Sequence, residues 1–192
     1  MNKSKSKRLS IFRVVVLPII IAMVLILVDQ IAKAYFHFFA SEGKVTVIKD
    51  FFYFAYLENK GAAWGFLNDK SWGQLFFKIL TGVALLVFFI IYYFIPDHKR
   101  WLRYAMVLII AGTIGNFIDR LAFSYVVDFF EFHFGSYNFP TFNIADAYLT
   151  VGVALLVIYY LFVDEDALLI SKKQKQARKE KVKALYEELE GK

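Results

Sequence analysis

The chain has 192 residues, 59% hydrophobic and 19% aromatic, a formal net charge of +6 and no cysteine. That apolar share exceeds the roughly 45–50% of a soluble globular domain and calls for lipid as solvent. The lack of cysteine excludes disulfides, thiolate metal sites and a cysteine nucleophile, and leaves the redox compartment undetermined.

The first apolar run, Val14 to Val28, follows a basic segment and meets Asp29-Gln30 with no small-residue cleavage site, so it is expected to be a retained anchor and not a cleaved signal. Gly43 to Glu58 is rich in β-branched and aromatic residues and ends at Asn59-Lys60-Gly61, which predicts a small sheet with a turn, lying on the membrane surface. The second run is Leu75 to Ile95, the third Leu102 to Leu121, and the fourth about Ile144 to Val163. Each is near the ~20 residues a helix needs to cross a ~30 Å hydrocarbon core. From Asp164 to Lys192 the chain mixes Glu and Lys at helical spacing, as in Lys183 and Glu187, and a solvated helix without chemistry is expected there.

The cations gather at Lys3 to Arg13, Lys99 to Arg103 and Lys172 to Lys183. Four spans put all three clusters on one side, as the positive-inside rule requires, whereas three or five would move the tail's lysines across. A patch for nucleic acid explains the pattern less well, because the charges flank apolar spans. The expected fold is therefore an all-α membrane protein, a four-helix transmembrane bundle over residues 1–163 with a small extracytoplasmic β-sheet. Its outer segments are about 38–72 and 122–142, and residues 164–192 form a charged cytoplasmic tail. No internal repeat suggests a pseudo-symmetric transporter.

Ionisable and amide side chains are costly in a span, so each invites a functional reading. Asp29 and Lys33 lie at the outer end of span one, Asn116, Asp119 and Arg120 at that of span three, Asn143 and Asp146 at the start of span four, and Asp128 on the outer segment between. Asp29 and Lys33, spaced i, i+4, are expected to pair and support the fold. Asn116, Asp119 and Arg120 read as groups that knit spans together, with Gly112 and Gly115 permitting close helix approach.

Asp128 and Asp146 differ from these. Asp128 sits in Val126-Val127-Asp128-Phe129-Phe130 without an adjacent cation, where apolar neighbours raise a carboxyl pKa. Asp146 falls in the first turn of span four, behind Asn143 as the expected N-cap, where the helix dipole favours the ionised form. Two carboxylates in unlike surroundings suit general acid/base work. Other peptide-bond chemistry finds little support. There is no H-E-x-x-H helix or G-x-S-x-G elbow, and His37, His98 and His133 are isolated, so no metal site is expected.

These motifs resemble the lipoprotein signal peptidases, also called signal peptidase II. The resemblance runs from Asp29 to about Gly152, through Asp29-Gln30-Ile31-Ala32-Lys33, Asn59-Lys60-Gly61-Ala62-Ala63-Trp64-Gly65, Gly115-Asn116-Phe117-Ile118-Asp119-Arg120, Val126-Val127-Asp128-Phe129 and Phe142-Asn143-Ile144-Ala145-Asp146. It implies that Asp128 and Asp146 form a catalytic dyad and that Asn59, Gly61, Asn116, Arg120 and Asn143 line or orient the site. Asp29, Lys33 and Asp119 match supporting positions. It further implies a short surface helix covering the cleft, and hydrolysis before a diacylglyceryl-modified cysteine of a prolipoprotein without metal or organic cofactor. The expected partners are lipid-modified prolipoproteins and membrane lipids, with no nucleic acid, for a monomer in the bacterial cytoplasmic membrane. Both termini are expected to be cytoplasmic and the site near the extracytoplasmic face. A small channel or transporter and a non-catalytic scaffold are the competing readings; the gathering of polar groups at one depth speaks against the former.

Overall fold

The computed structural model describes residues 11–39, 43–61 and 72–163, with 176, 177, 179–184 and 187 of the tail. Among these residues four helices are long and apolar enough to cross a membrane. Helix α1 (Leu17–Phe39) is entered through a π-helical turn over Phe12–Val16, α2 is Gly73–Phe94, α3 is Arg100–Phe123, and α4 (Ile144–Ile158) continues into a π-helical turn over Tyr159–Val163. The first span outruns its apolar stretch. It carries Asp29 and Lys33 in its interior because both point at α3 and not at lipid, where they meet partners.

Helix α3 is the central one, packed on by the other three. Its small residues make this possible. A Cβ added at Gly112 would lie 2.4 Å from the Ala145 carbonyl oxygen, and one at Gly115 would lie 2.6 Å from the Asp29 carboxylate. From the other side, a Cβ at Gly152 of α4 would stand 2.9 Å from the Ala105 carbonyl. The α3–α4 contact is thus backbone on backbone, the way helices associate where lipid gives no hydrophobic drive.

At one end of the bundle Ile95, Leu102, Met106, Ile109 and Tyr159 form an apolar cluster. Beside it the buried Arg103 guanidinium donates to the carbonyls of Ile95 and Pro96, pairs with Asp97 at 3.1 Å and lies over the Tyr92 ring. It thereby satisfies carbonyls that the end of α2 leaves without helical partners.

The other end carries an antiparallel sheet in the order β1 (Val45–Ile48), β2 (Phe52–Asn59), β3 (Val126–Phe134) and β4 (Tyr137–Asn138). Two features depart from the sequence expectation. The chain reverses at Lys49-Asp50, with Asp50 at a φ of 60°, while Asn59 remains in β2 opposite Val126. Strand β3 in the second outer segment was not anticipated, and it supplies the partner that keeps β2 extended as far as Asn59. Phe129 of β3 is fully buried and stacks on Phe36 of α1 at 4.3 Å, which docks the sheet on the bundle. The expected surface helix, with Ala62, Ala63, Trp64 and Gly65, lies outside the described residues.

Candidate active site

Asp128 and Asp146 come together from different elements, one from β3 and one from the first turn of α4. Three asparagines hold them, and each amide has its orientation fixed by its carbonyl side. Asn59 Oδ1 accepts from the Gly61 main-chain N–H at 3.0 Å, so its Nδ2 donates to Asp128 Oδ2 at 2.8 Å. Asn143 Oδ1 accepts from the Asp146 N–H at 2.9 Å, so its Nδ2 turns to Asp128 Oδ1 at 2.7 Å. Asn116 Oδ1 accepts from the Lys33 ammonium at 2.9 Å and from Asn143 at 3.1 Å, and its Nδ2 donates to Asp146 Oδ1 at 2.7 Å. A donor that has no acceptor capacity, ammonium or peptide N–H, settles which side of each amide is oxygen. Asp146 Oδ2 also accepts from the Asn143 N–H at 3.1 Å, closing a reciprocal capping box at the start of α4.

Beneath this layer a buried ionic cluster ties the elements together. The Lys33 ammonium lies 2.9 Å from Asp29 and 3.0 Å from Asp119, and with Asn116 all three of its protons find acceptors. Asp29 in turn accepts from the Ala145 N–H in the first turn of α4, and Asp119 accepts from the Val127 N–H of β3. The two supporting carboxylates therefore grip the two segments that carry Asp146 and Asp128. The i, i+4 pairing of Asp29 and Lys33 is as expected. Gln30 belongs to this cluster and was not singled out from sequence. Its amide donates to the Gly115 carbonyl at 3.1 Å and to Asp119 at 3.0 Å, and an amide inside a span was the available signal.

A cavity of about 650 Å³ opens beside the carboxylates between α2 and α4, with α3 as its floor. Asn59, Asn116, Arg120, Asp128 and Asp146 line its polar end, and Phe139, Pro140, Phe142, Leu149 and Val151 its apolar part. Thr81, Thr113 and Thr150 also face it, each with its hydroxyl donating to the carbonyl four residues back. The Arg120 guanidinium lies over the Phe77 ring, with one long contact of 3.5 Å to the Asn116 carbonyl. Burial pushes the Asp128 carboxyl up to about 7, and the negative charge of Asp146 adds to this, against the amides of Asn59 and Asn143 and the charge of Lys33. The local sequence offered Asp128 no cation; the fold brings Lys33 and Arg120 within electrostatic reach.

Gathered polar groups at one end of four apolar helices, around a cavity between spans, define an integral membrane protein with a carboxylate site at the sheet end. The model of the signal peptidase (SPase) II family matches residues 21–162. The chain is 42% identical over 150 residues to the lipoprotein signal peptidase of Clostridium tetani, covering 77% of this chain and 94% of that one. It is 38% identical to that of Lactobacillus gasseri, covering 78% and 95%. A bacterial membrane enzyme solved by the in meso method at 1.9 Å resolution superposes with a TM-score of 0.67 at 34% identity, over 78% of this chain and 96% of that one. A second, at 2.3 Å, gives 0.63 at 37% identity over 75% and 87%. The chain belongs to the signal peptidase II family and is an enzyme of the aspartic endopeptidase type.

Proposed function

We propose that this protein removes the signal peptide from diacylglyceryl-modified prolipoproteins, cleaving before the lipidated cysteine by two-aspartate activation of water. The observation that carries the reading is the pair Asp128 and Asp146, joined through Asn143 and opening onto a largely apolar cavity between helices. Such a cavity suits a substrate that arrives within the bilayer, and its polar end suits an amide bond that must meet water.

Asp146 acts as the base. It takes a proton from water as the oxygen attacks the scissile carbonyl carbon, while Asp128, whose carboxyl is pushed up to about 7 and is protonated below that pH, gives its proton to the carbonyl oxygen. Collapse of the resulting gem-diol returns one proton to Asp128, and Asp146 protonates the departing amine, so both carboxyls regain their starting states. Asn59, Asn143 and Asn116 hold the carboxyls in place, Gly61 fixes Asn59, and Arg120 lines the approach. Asp29, Lys33 and Asp119 act at one remove, through the chain segments they grip.

The reading includes a topology. Arg13, Lys99, Arg100 and Arg103 lie at the end opposite the sheet, and with the charged tail they favour both termini in the cytoplasm of a bacterial cell and the site near the extracytoplasmic face. The test is incubation of the purified enzyme with a lipidated prolipoprotein, read as a gel mobility shift. Asp128→Asn and Asp146→Asn should each abolish the shift while remaining folded; cleavage that persists in both variants overturns the dyad.

A further inference from the structure

We infer that the extended segment Phe139–Phe142 is the strand edge on which the main chain of the cleaved peptide is laid, with the N–H and C=O of Thr141 as its hydrogen-bonding partners. This rests on the proposed peptidase reading and adds to it the group that holds the substrate backbone.

Phe142 pairs with Phe130 of β3 in both directions, its N–H donating to the Phe130 carbonyl at 3.1 Å and its carbonyl accepting from the Phe130 N–H at 2.8 Å. The Phe139 N–H reaches the Phe132 carbonyl at 2.9 Å. The segment thus continues the sheet on the side of β3 away from β2, and nothing pairs with its far side among the described residues. Thr141, next to Phe142, makes no main-chain hydrogen bond to β3.

Neither group of Thr141 has a hydrogen-bond partner among the described residues, although the residue is half-buried and lines the cavity that holds Asp128 and Asp146. A half-buried peptide group without a partner is expensive, and an extended peptide would satisfy its donor and acceptor at once. The neighbours restrict where such a peptide can sit. Pro140 has no N–H to offer, and Phe139 and Phe142 spend theirs on β3, so Thr141 is the single donor along this edge. Between the Phe139 and Phe142 contacts, Pro140 and Thr141 stand against the single residue Glu131, so the pairing with β3 is interrupted at Thr141. Thr141, Asp128 and Asp146 line one cavity, so a strand laid against Thr141 from the cavity lies in the space that the carboxyl pair faces.

The experiment measures kcat/KM on a synthetic diacylglyceryl-modified prolipoprotein peptide with the full chain. Thr141→Pro, which removes the N–H, should lower kcat/KM about 5- to 100-fold, as loss of one hydrogen bond to a buried group does. Thr141→Ala and Thr141→Val, which keep it, should each lose several-fold less than Thr141→Pro. On the substrate side, N-methylation scanned over residues flanking the scissile amide should lower cleavage at one position by a similar factor and leave the next one little changed. Parent-like cleavage by Thr141→Pro, an equal loss in Thr141→Ala, or a flat methylation scan overturns the inference. Should Thr141→Pro fail to fold, the scan on the unmodified enzyme decides. Asp128→Asn and Asp146→Asn run alongside: their persistent cleavage defeats the two-aspartate reading, no cleavage by the folded parent defeats the peptidase reading, and inactivity of the two variants with a flat scan defeats the strand edge alone.

Discussion

Replacing Lys33 by methionine isolates what the buried ionic cluster contributes. The side chain is 3% exposed, and its ammonium contacts Asp29 at 2.9 Å, Asp119 at 3.0 Å and Asn116 at 2.9 Å. Methionine fills much of the same space but leaves two buried carboxylates facing a lost cation. Breaking a buried pair by removing one partner costs about 3–5 kcal/mol. Both carboxylates keep other donors, Ala145 and Val127 N–H among them, so the lower part of that range is expected. Unfolding in detergent of Lys33→Met, Asp119→Asn and the double variant gives the coupling directly. The double variant should recover about 1–3 kcal/mol relative to the sum of the single ones. Activity supplies a second reading, because without the ammonium the Asn116 amide loses one of the two donors that turn its Nδ2 toward Asp146. Lys33→Met should therefore lose turnover even at temperatures where it is fully folded. A stability within about 0.5 kcal/mol of the parent, or strict additivity in the cycle, refutes the account.

Asp128 makes stability depend on pH in the direction opposite to a salt-bridged carboxylate. The folded protein keeps its proton up to about 7 while the unfolded chain releases it near 3.8, so the folded state binds more protons in that window. Stability should fall as pH rises through it, by on the order of 4 kcal/mol at 1.36 kcal/mol per pH unit, and Asp128→Asn should flatten the profile and exceed the parent above pH 7. Cleavage should decline above about pH 7 as Asp128 loses the proton it donates. Gly112→Ala should destabilise by at least about 1–3 kcal/mol in the same unfolding assay, since its Cβ meets a backbone carbonyl of α4 at 2.4 Å that no rotamer change can move. Asn143→Ala removes the acceptor for the Asp146 N–H and should cost about 1 kcal/mol for the cap, with a loss of activity far larger than that, measured as kcat on folded enzyme.

The number of spans, the ends of the last three and most polar residues of the site were readable in the chain, because each rests on local quantities: twenty apolar residues, cations beside them, and carboxylates or amides that lipid penalises. Asp29 and Lys33 could be paired from a four-residue spacing alone. What lay beyond reach were contacts between residues far apart in sequence. Strand β3 forms because β2, some seventy residues earlier, offers it a register, and Asn59 reaches Asp128 only through that pairing. Lys33 reaches Asn116, Gln30 reaches Asp119, and the main-chain groups of Thr141 find no partner among the described residues, for the same kind of reason. The sequence by itself determined which groups are costly to bury in this membrane protein; the tertiary structure alone decided which of them satisfy one another and which face the cavity, because a hydrogen bond depends on position in space and not on distance along the chain.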